Sequence, residues 1–164
     1  MKTLFLLRHA KSSWKDDSLP DFKRPLKRRG GRAATTVGKY LKTKIEAPEL
    51  VLCSTAVRAR DTVDLLIKAT KWTTEVRYDQ RIYDASGMRL AEVISQIDND
   101  RKTAMLIGHN PGLEELLLLL TSATETLPTA TVAKVTLKTT KWSNAIDKRA
   151  TVEWFIRPRD IENE

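Results

Sequence analysis

Two short apolar runs in this chain each stop at a histidine. Residues 3–9 read TLFLLRH and residues 103–109 read TAMLIGH, and His9 and His109 are the only histidines present. The apolar residues at 4–7 follow one another without the alternation of a strand that has one wet face. A strand of that kind has to be covered on both sides, which steers the chain toward a layered α/β fold with a largely parallel sheet.

The rest of the pattern agrees. Residues 11–26 read as a loop with prolines at 20 and 25, and Gly30-Gly31 argues against helix before about residue 32. Ala33, Ala34, Val37, Tyr40 and Leu41 recur at helical spacing and predict an amphipathic helix over 32–43, with Lys39, Lys42 and Lys44 suiting its negative end. A second strand at 49–53, ELVLC, leads to Ser54 or Thr55 as expected cap of a helix over about 56–69, which buries Val57, Val63 and Leu66 and carries Arg58 in its first turn. A weaker strand at 74–78, a loop at 81–87, a helix marked by Leu90, Val93, Ile94 and Ile97, and a strand at 103–107 follow. Asn110 is the expected N-cap, and Pro111 the first helical residue, of a helix reaching about Ser122. Beyond Pro128, VAKVTLKT alternates and TVEWFI is strand-like, which predicts an antiparallel pair with one exposed face. The fold class expected is α/β, a three-layer α/β/α sandwich with a mostly parallel sheet and an antiparallel C-terminal portion, in one domain over 1–164.

Composition narrows the setting. At 41% hydrophobic and 30% charged, the chain reads as soluble and globular, and no apolar stretch approaches the roughly 20 residues of a membrane span, so no membrane partner is expected. The single cysteine, Cys53, cannot close an internal disulfide, which makes the cytoplasm the default location. The net charge of +8 is unevenly placed: residues 1–45 carry 13 Lys and Arg against Asp16, Asp17 and Asp21, a local excess of +10 around His9. Such a field attracts a phosphorylated substrate, an acidic protein or a nucleic acid, or serves solubility alone.

In open α/β sheets, ligands bind beyond the carboxyl ends of the strands. Arg8-His9, the segment 54–58 and His109 all fall at such ends, two of them at helix starts, where free N–H groups and Arg forks suit phosphate oxygens. That combination points to phosphoryl chemistry. A neutral imidazole can attack phosphorus and form a covalent intermediate, which gives His9 the role of nucleophile. Arg8, Arg58 and a protonated or hydrogen-bonding His109 would stabilise the spread negative charge of the transferring group. The chain offers no metal-ligand spacing, Walker loop or dinucleotide glycine loop, so neither metal nor cofactor is expected.

These residues also carry a family resemblance. Leu7-Arg8-His9-Ala10 resembles the Arg-His-Gly signature of the histidine phosphatase superfamily, the group that includes phosphoglycerate mutases. LLRHAKSSW, RPL, STAVRARDT and GHNPGLE together resemble its small SixA-like branch of phosphohistidine phosphatases, over residues 3 to about 120. The resemblance implies a phosphoglycerate mutase-like fold, phosphorylation of His9, a phosphate pocket of Arg8, Arg58 and His109, and Arg24 at its rim. Ala10 stands where the signature usually has glycine. Larger relatives use a carboxylate as general acid; here the candidates are Asp84 and Glu114, neither in a sharp motif. An imidazole leaving group asks less of an acid, so the resemblance implies a metal-independent phosphatase for phosphohistidine in proteins, with a small sugar phosphate as the alternative substrate of a phosphomonoesterase or mutase.

Plainer readings stand beside these. Arg58 can pair with Asp61 or Asp64 on its own helix, and Arg24 can be part of a solvated basic run. Asp84 and Glu114 read equally as a turn residue and a helix-start carboxylate. A nucleic-acid-binding module is poorly supplied with stacking aromatics, since Trp14 and Phe22 stand alone in the basic third apart from Phe5 and Tyr40. An inactive phosphate-binding adaptor would not need Arg8, His9, Arg58 and His109 intact. The lack of a long apolar surface helix makes a monomer the expectation.

Overall fold

The computed structural model describes residues 1–162; residues 163 and 164, the last two of the expected domain, lie outside the described residues. Six strands form one mixed sheet in the order β3-β2-β4-β1-β5-β6. They are β1 (Lys2–Arg8), β2 (Leu50–Cys53), β3 (Glu75–Tyr78), β4 (Thr103–Gly108), β5 (Val132–Leu137) and β6 (Thr151–Ile156). The first four run parallel, and β5 and β6 join antiparallel on the far side of β1. This is the α/β arrangement, a mostly parallel sheet with an antiparallel C-terminal portion, expected from the order of elements.

The unbroken apolar runs are explained by cover on both faces. Phe5 and Leu7 point with Val51, Met105 and Ile107 into a core under α1 (Arg28–Lys44) and α2 (Val57–Thr70). Leu4 and Leu6 point the other way, with Leu52 and Leu106, under α3 (Gly87–Ser95) and α4 (Gly112–Thr121). The connections after β1 and β4 leave toward opposite faces of the sheet while the two strands lie side by side. Both histidines stand at this point of divergence, the place where open α/β sheets bind ligands.

Several local expectations are corrected. Helix α1 starts at Arg28 and runs through Gly30 and Gly31, rather than starting near residue 32. The reason is tertiary: a Cβ at Gly30 would lie 2.1 Å from the carbonyl oxygen of Lys11, so the helix start needs a residue without a side chain there. The Lys27 N–H donates to that same oxygen at 3.0 Å, and Ser13 N–H donates to Pro25 O at 2.8 Å, tying the helix entry to the segment after His9.

Neither expected side-chain cap forms. Ala56 caps α2 and Pro111 caps α4, while Ser54 and Asn110 use their side chains elsewhere. Val57 is only half-buried. The expected loop over 81–87 opens with a short 3₁₀ turn at Gln80–Ile82. In β5 the alternation does not produce a wet face, because β1 and β6 flank it and Val132, Ala133, Val135 and Leu137 are buried. A final short helix, α5 (Pro158–Glu162), packs against α1 and is too short to leave a periodic signal. No helix among the described residues is long and apolar enough to cross a membrane.

Candidate active site

His9 follows the last residue of β1. Its backbone N–H donates to Gly108 O at 3.1 Å, which pins it beside the end of β4. Its Nδ1 lies 2.7 Å from Ala10 O; a carbonyl only accepts, so Nδ1 carries the proton and Nε2 keeps the lone pair. Ala10 is itself fixed, its N–H donating at 3.0 Å to Thr62 Oγ1, whose hydroxyl donates to Arg58 O on α2 at 2.7 Å. The departure from glycine at position 10 is accommodated in a fully buried pocket.

His109 stands after β4, its ring centroid 5.0 Å from that of His9. Its Nε2 lies 2.7 Å from Ser54 Oγ at the end of β2, and its Nδ1 is buried without a partner. Ser54 Oγ already accepts the Ala56 N–H, and among the described residues His109 Nε2 is the acceptor found within hydrogen-bond distance of its hydroxyl. Hydrogen-bond accounting therefore puts the His109 proton on Nδ1, as a neutral donor.

Arginines close around the pair. Arg8, Arg58 and Arg24 all depress the protonation of His9, and Arg58 and Arg8 that of His109. His9 and His109 are 6% and 8% exposed, and burial is the main reason that their pKa values fall to about 4 and about 3. For His9 the Ala10 carbonyl opposes the shift, and for His109 the charge of His9 adds to it. Both rings are therefore neutral at physiological pH. Arg8 Nη1 donates to Leu127 O, but its Nε, like that of Arg58, is buried without a partner. Those two Nε atoms and His109 Nδ1 are donors left without a partner near the His9 ring, an arrangement able to take an oxyanion.

Arg8, His9, Arg58 and His109 are brought together. Arg58 does not pair with Asp61 or Asp64; its two terminal nitrogens donate to Asp21 O at 2.8 Å and to Asp21 Oδ2 at 3.0 Å. Arg24 is 6% exposed, donates to Asp21 and Ser12, and is stacked 3.4 Å from the ring centroid of Trp14, which is 73% exposed. Glu114 is committed to structure, its Oε1 accepting from Asn110 Nδ2 and from Leu127 N–H, both at 2.8 Å. Asp84 is exposed in a turn with φ 52°. Neither carboxylate is hydrogen-bonded to a histidine.

Sequence reasoning missed Asp21, Ser54, Thr62 and Tyr83. Asp21 was legible as a carboxylate three residues before Arg24, and Ser54 as a hydroxyl at a strand end, though each had a plainer reading. Tyr83 donates to Asp21 Oδ2 at 2.7 Å and packs edge-on against His109, centroids 5.6 Å apart. No signal in the chain announced it. Among the described residues, no cluster of three or more His, Cys, Asp or Glu is arranged to hold a metal ion.

Comparison with known proteins bears on the family and the fold. A model of the histidine phosphatase superfamily (branch 1) matches residues 4–105. An uncharacterised Mycobacterium tuberculosis protein is 36% identical over 120 residues, 73% of this chain and 73% of that one. A structure described as a candidate phosphohistidine phosphatase SixA from Nakamurella multipartitia is 26% identical, covers 96% of both chains and superposes with a TM-score of 0.82. The protein histidine phosphatase SixA complexed with tungstate shares the fold at 19% identity, TM-score 0.84, over 97% of this chain and 99% of that one. A mycobacterial glucosyl-3-phosphoglycerate phosphatase shares it more loosely, at 16% identity and TM-score 0.68, over 93% and 97%.

Proposed function

Since the chain belongs to the histidine phosphatase superfamily, in its SixA-like branch, we propose that it hydrolyses phosphohistidine in proteins through a covalent phospho-His9 intermediate. The observation that carries this reading is the His9 tautomer. With its proton on Nδ1 toward Ala10 O, Nε2 offers a lone pair among Arg8, Arg58, Arg24 and the Nδ1–H of His109. In the first step that lone pair forms an N–P bond as the bond from phosphorus to the leaving group breaks. In the second, water attacks phosphorus, the N–P electrons return to His9, and inorganic phosphate departs with the water protons.

The arginines and His109 act by holding the three equatorial oxygens as charge builds on them. No step calls for a metal or cofactor, so activity is expected to survive EDTA; a strict metal requirement would sink this part. The substrate side rests on the leaving group. A sugar phosphate leaves as an alkoxide and needs a proton, yet Glu114 is engaged by two N–H donors and Asp84 points from an exposed turn. An imidazole asks for no such donor, which favours phosphohistidine over the phosphomonoesterase reading.

We further propose that the chain acts as one domain, as a cytoplasmic monomer, with the basic N-terminal third drawing in an acidic phosphoprotein rather than a nucleic acid. The test is to incubate the protein with a small phosphoryl donor and quench at alkaline pH. Acid-labile phosphate on His9, absent from His9→Ala together with phosphate release, is the expected result. Turnover by His9→Ala at the unaltered rate overturns the mechanism.

A further inference from the structure

An in-line displacement puts the leaving group across phosphorus from His9 Nε2. Asp21, bonded to Arg58 and close enough to His109 for its charge to be felt there, borders the site on the exposed side of the buried His9. Its side chain is 50% exposed, and its carboxylate takes donors from Arg58 at 3.0 Å, Arg24 at 3.1 Å and the Tyr83 hydroxyl at 2.7 Å. Tyr83 also lines a cleft with Gln80, Arg81 and Arg89.

Partial burial works to raise the Asp21 pKa, but the hydrogen bonds from Tyr83 and Arg58, the Arg58 charge and the Arg24 bond outweigh it and hold it at about 2. The exposed side of the site is therefore bordered by a standing anion. Such a group cannot hand a proton to a departing alkoxide, and it repels a leaving group that carries its own negative charge. It suits a leaving group that arrives positively charged and offers an N–H.

We propose that Asp21 selects the leaving group by accepting a hydrogen bond from the distal ring N–H of a protonated phosphoimidazole. This rests on the phosphohistidine reading and deepens it. The His9 Nε2 lone pair forms the new N–P bond while the P–N bond of the substrate breaks. The electron pair of that bond returns to the substrate ring nitrogen. The ring departs as neutral imidazole and keeps its distal N–H, so no proton has to be delivered to it. Asp21 stays ionised throughout and favours the imidazolium form, so its effect falls on kcat/KM.

The experiment compares wild type, Asp21→Asn and Asp21→Glu on phosphoimidazole and on p-nitrophenyl phosphate, whose phenolate leaves without an acid. Loss of a charge-assisted hydrogen bond predicts that the ratio of the two kcat/KM values falls at least about tenfold in Asp21→Asn, with Asp21→Glu recovering most of it. An unchanged ratio, whether both rates fall together or neither moves, overturns the proposal and leaves Asp21 as a brace for Arg58 and Arg24. Wild type that cleaves p-nitrophenyl phosphate but not phosphoimidazole overturns the phosphohistidine reading itself, and the role of Asp21 with it.

Discussion

The imidazole rings of His9 and His109 lie 5.0 Å apart, although the residues are a hundred positions apart in sequence. Adjacency of β1 and β4 brings them together, with Leu7 in register with Ile107 and Arg8 with Gly108. Both are neutral, yet they are presented differently. His9 keeps its Nε2 lone pair because Ala10 O holds its proton, and His109 keeps an Nδ1–H because Ser54 holds its other nitrogen. In the proposed mechanism one ring attacks phosphorus and the other donates to its oxygens.

Ser54 should therefore act as a positioning residue for His109. Ser54→Ala is expected to lower kcat about tenfold or more, on the scale of one lost hydrogen bond in the transition state, while Ser54→Thr retains most activity. Nitrogen NMR of the His109 ring reads the tautomer directly. A proton found on Nε2 in the wild type, or full activity in Ser54→Ala, would remove Ser54 from the mechanism.

Arg58 should govern oxyanion affinity. Arg58→Ala is expected to weaken tungstate or phosphate binding by about 10- to 100-fold, the scale of a hydrogen bond to a charged group, and Arg58→Lys to recover only part because it lacks the fork. Calorimetry at fixed ionic strength measures both. Unaltered affinity in Arg58→Ala would return the residue to a purely structural partnership with Asp21.

Acid should destabilise the fold through the two histidines. In the unfolded chain they take up protons near the reference pKa of 6.5, whereas in the native state they stay neutral until about 4 and about 3. Between those values the unfolded state binds more protons, so stability falls as pH falls, with a slope approaching about 1.4 kcal/mol per pH unit for each ring. Chemical denaturation from pH 7 to 4.5 reads the slope. It should be shallower in His109→Gln, and also with tungstate bound, since an oxyanion favours the protonated rings. Equal slopes in the wild type and His109→Gln would contradict the neutral assignment.

The two glycines at the start of α1 should behave oppositely on substitution. A Cβ at Gly30 meets Lys11 backbone at 2.1 Å, so Gly30→Ala is expected to cost about 2 kcal/mol or more and to disturb the segment after His9. At Gly31 the nearest atom is Leu65 Cδ1 at 3.5 Å, an ordinary contact, so Gly31→Ala should gain about 0.5–1 kcal/mol from helix propensity. Thermal melts of both variants decide it, and a stable Gly30→Ala would refute the close approach.

What was legible in the chain was whatever depends on near neighbours. Unbroken apolar runs at 4–7 and 104–107 report strands covered on both faces, and the residues that end them must sit at carboxyl ends, so the α/β class and the strand-end placing of the two histidines could be read directly, whereas Arg58 had a plainer pairing with Asp61 or Asp64 that only the family resemblance outweighed. Helix boundaries and caps were less legible, because Ser54 and Asn110 carry the same capping chemistry whether they face a helix start or a distant side chain.

The sequence by itself determined the layer order and the reactive groups, since backbone hydrogen bonding and apolar burial act through residue type and spacing. Only the tertiary structure decided the protonation and the pairing. Burial among arginines makes both histidines neutral, the ends of β2 and β4 bring Ser54 to His109, and the folded loop after His9 sets Asp21 on Arg58 and Tyr83. These are through-space effects between residues far apart in the chain. No local pattern encodes the distance between two charges, and that distance sets what the site can do.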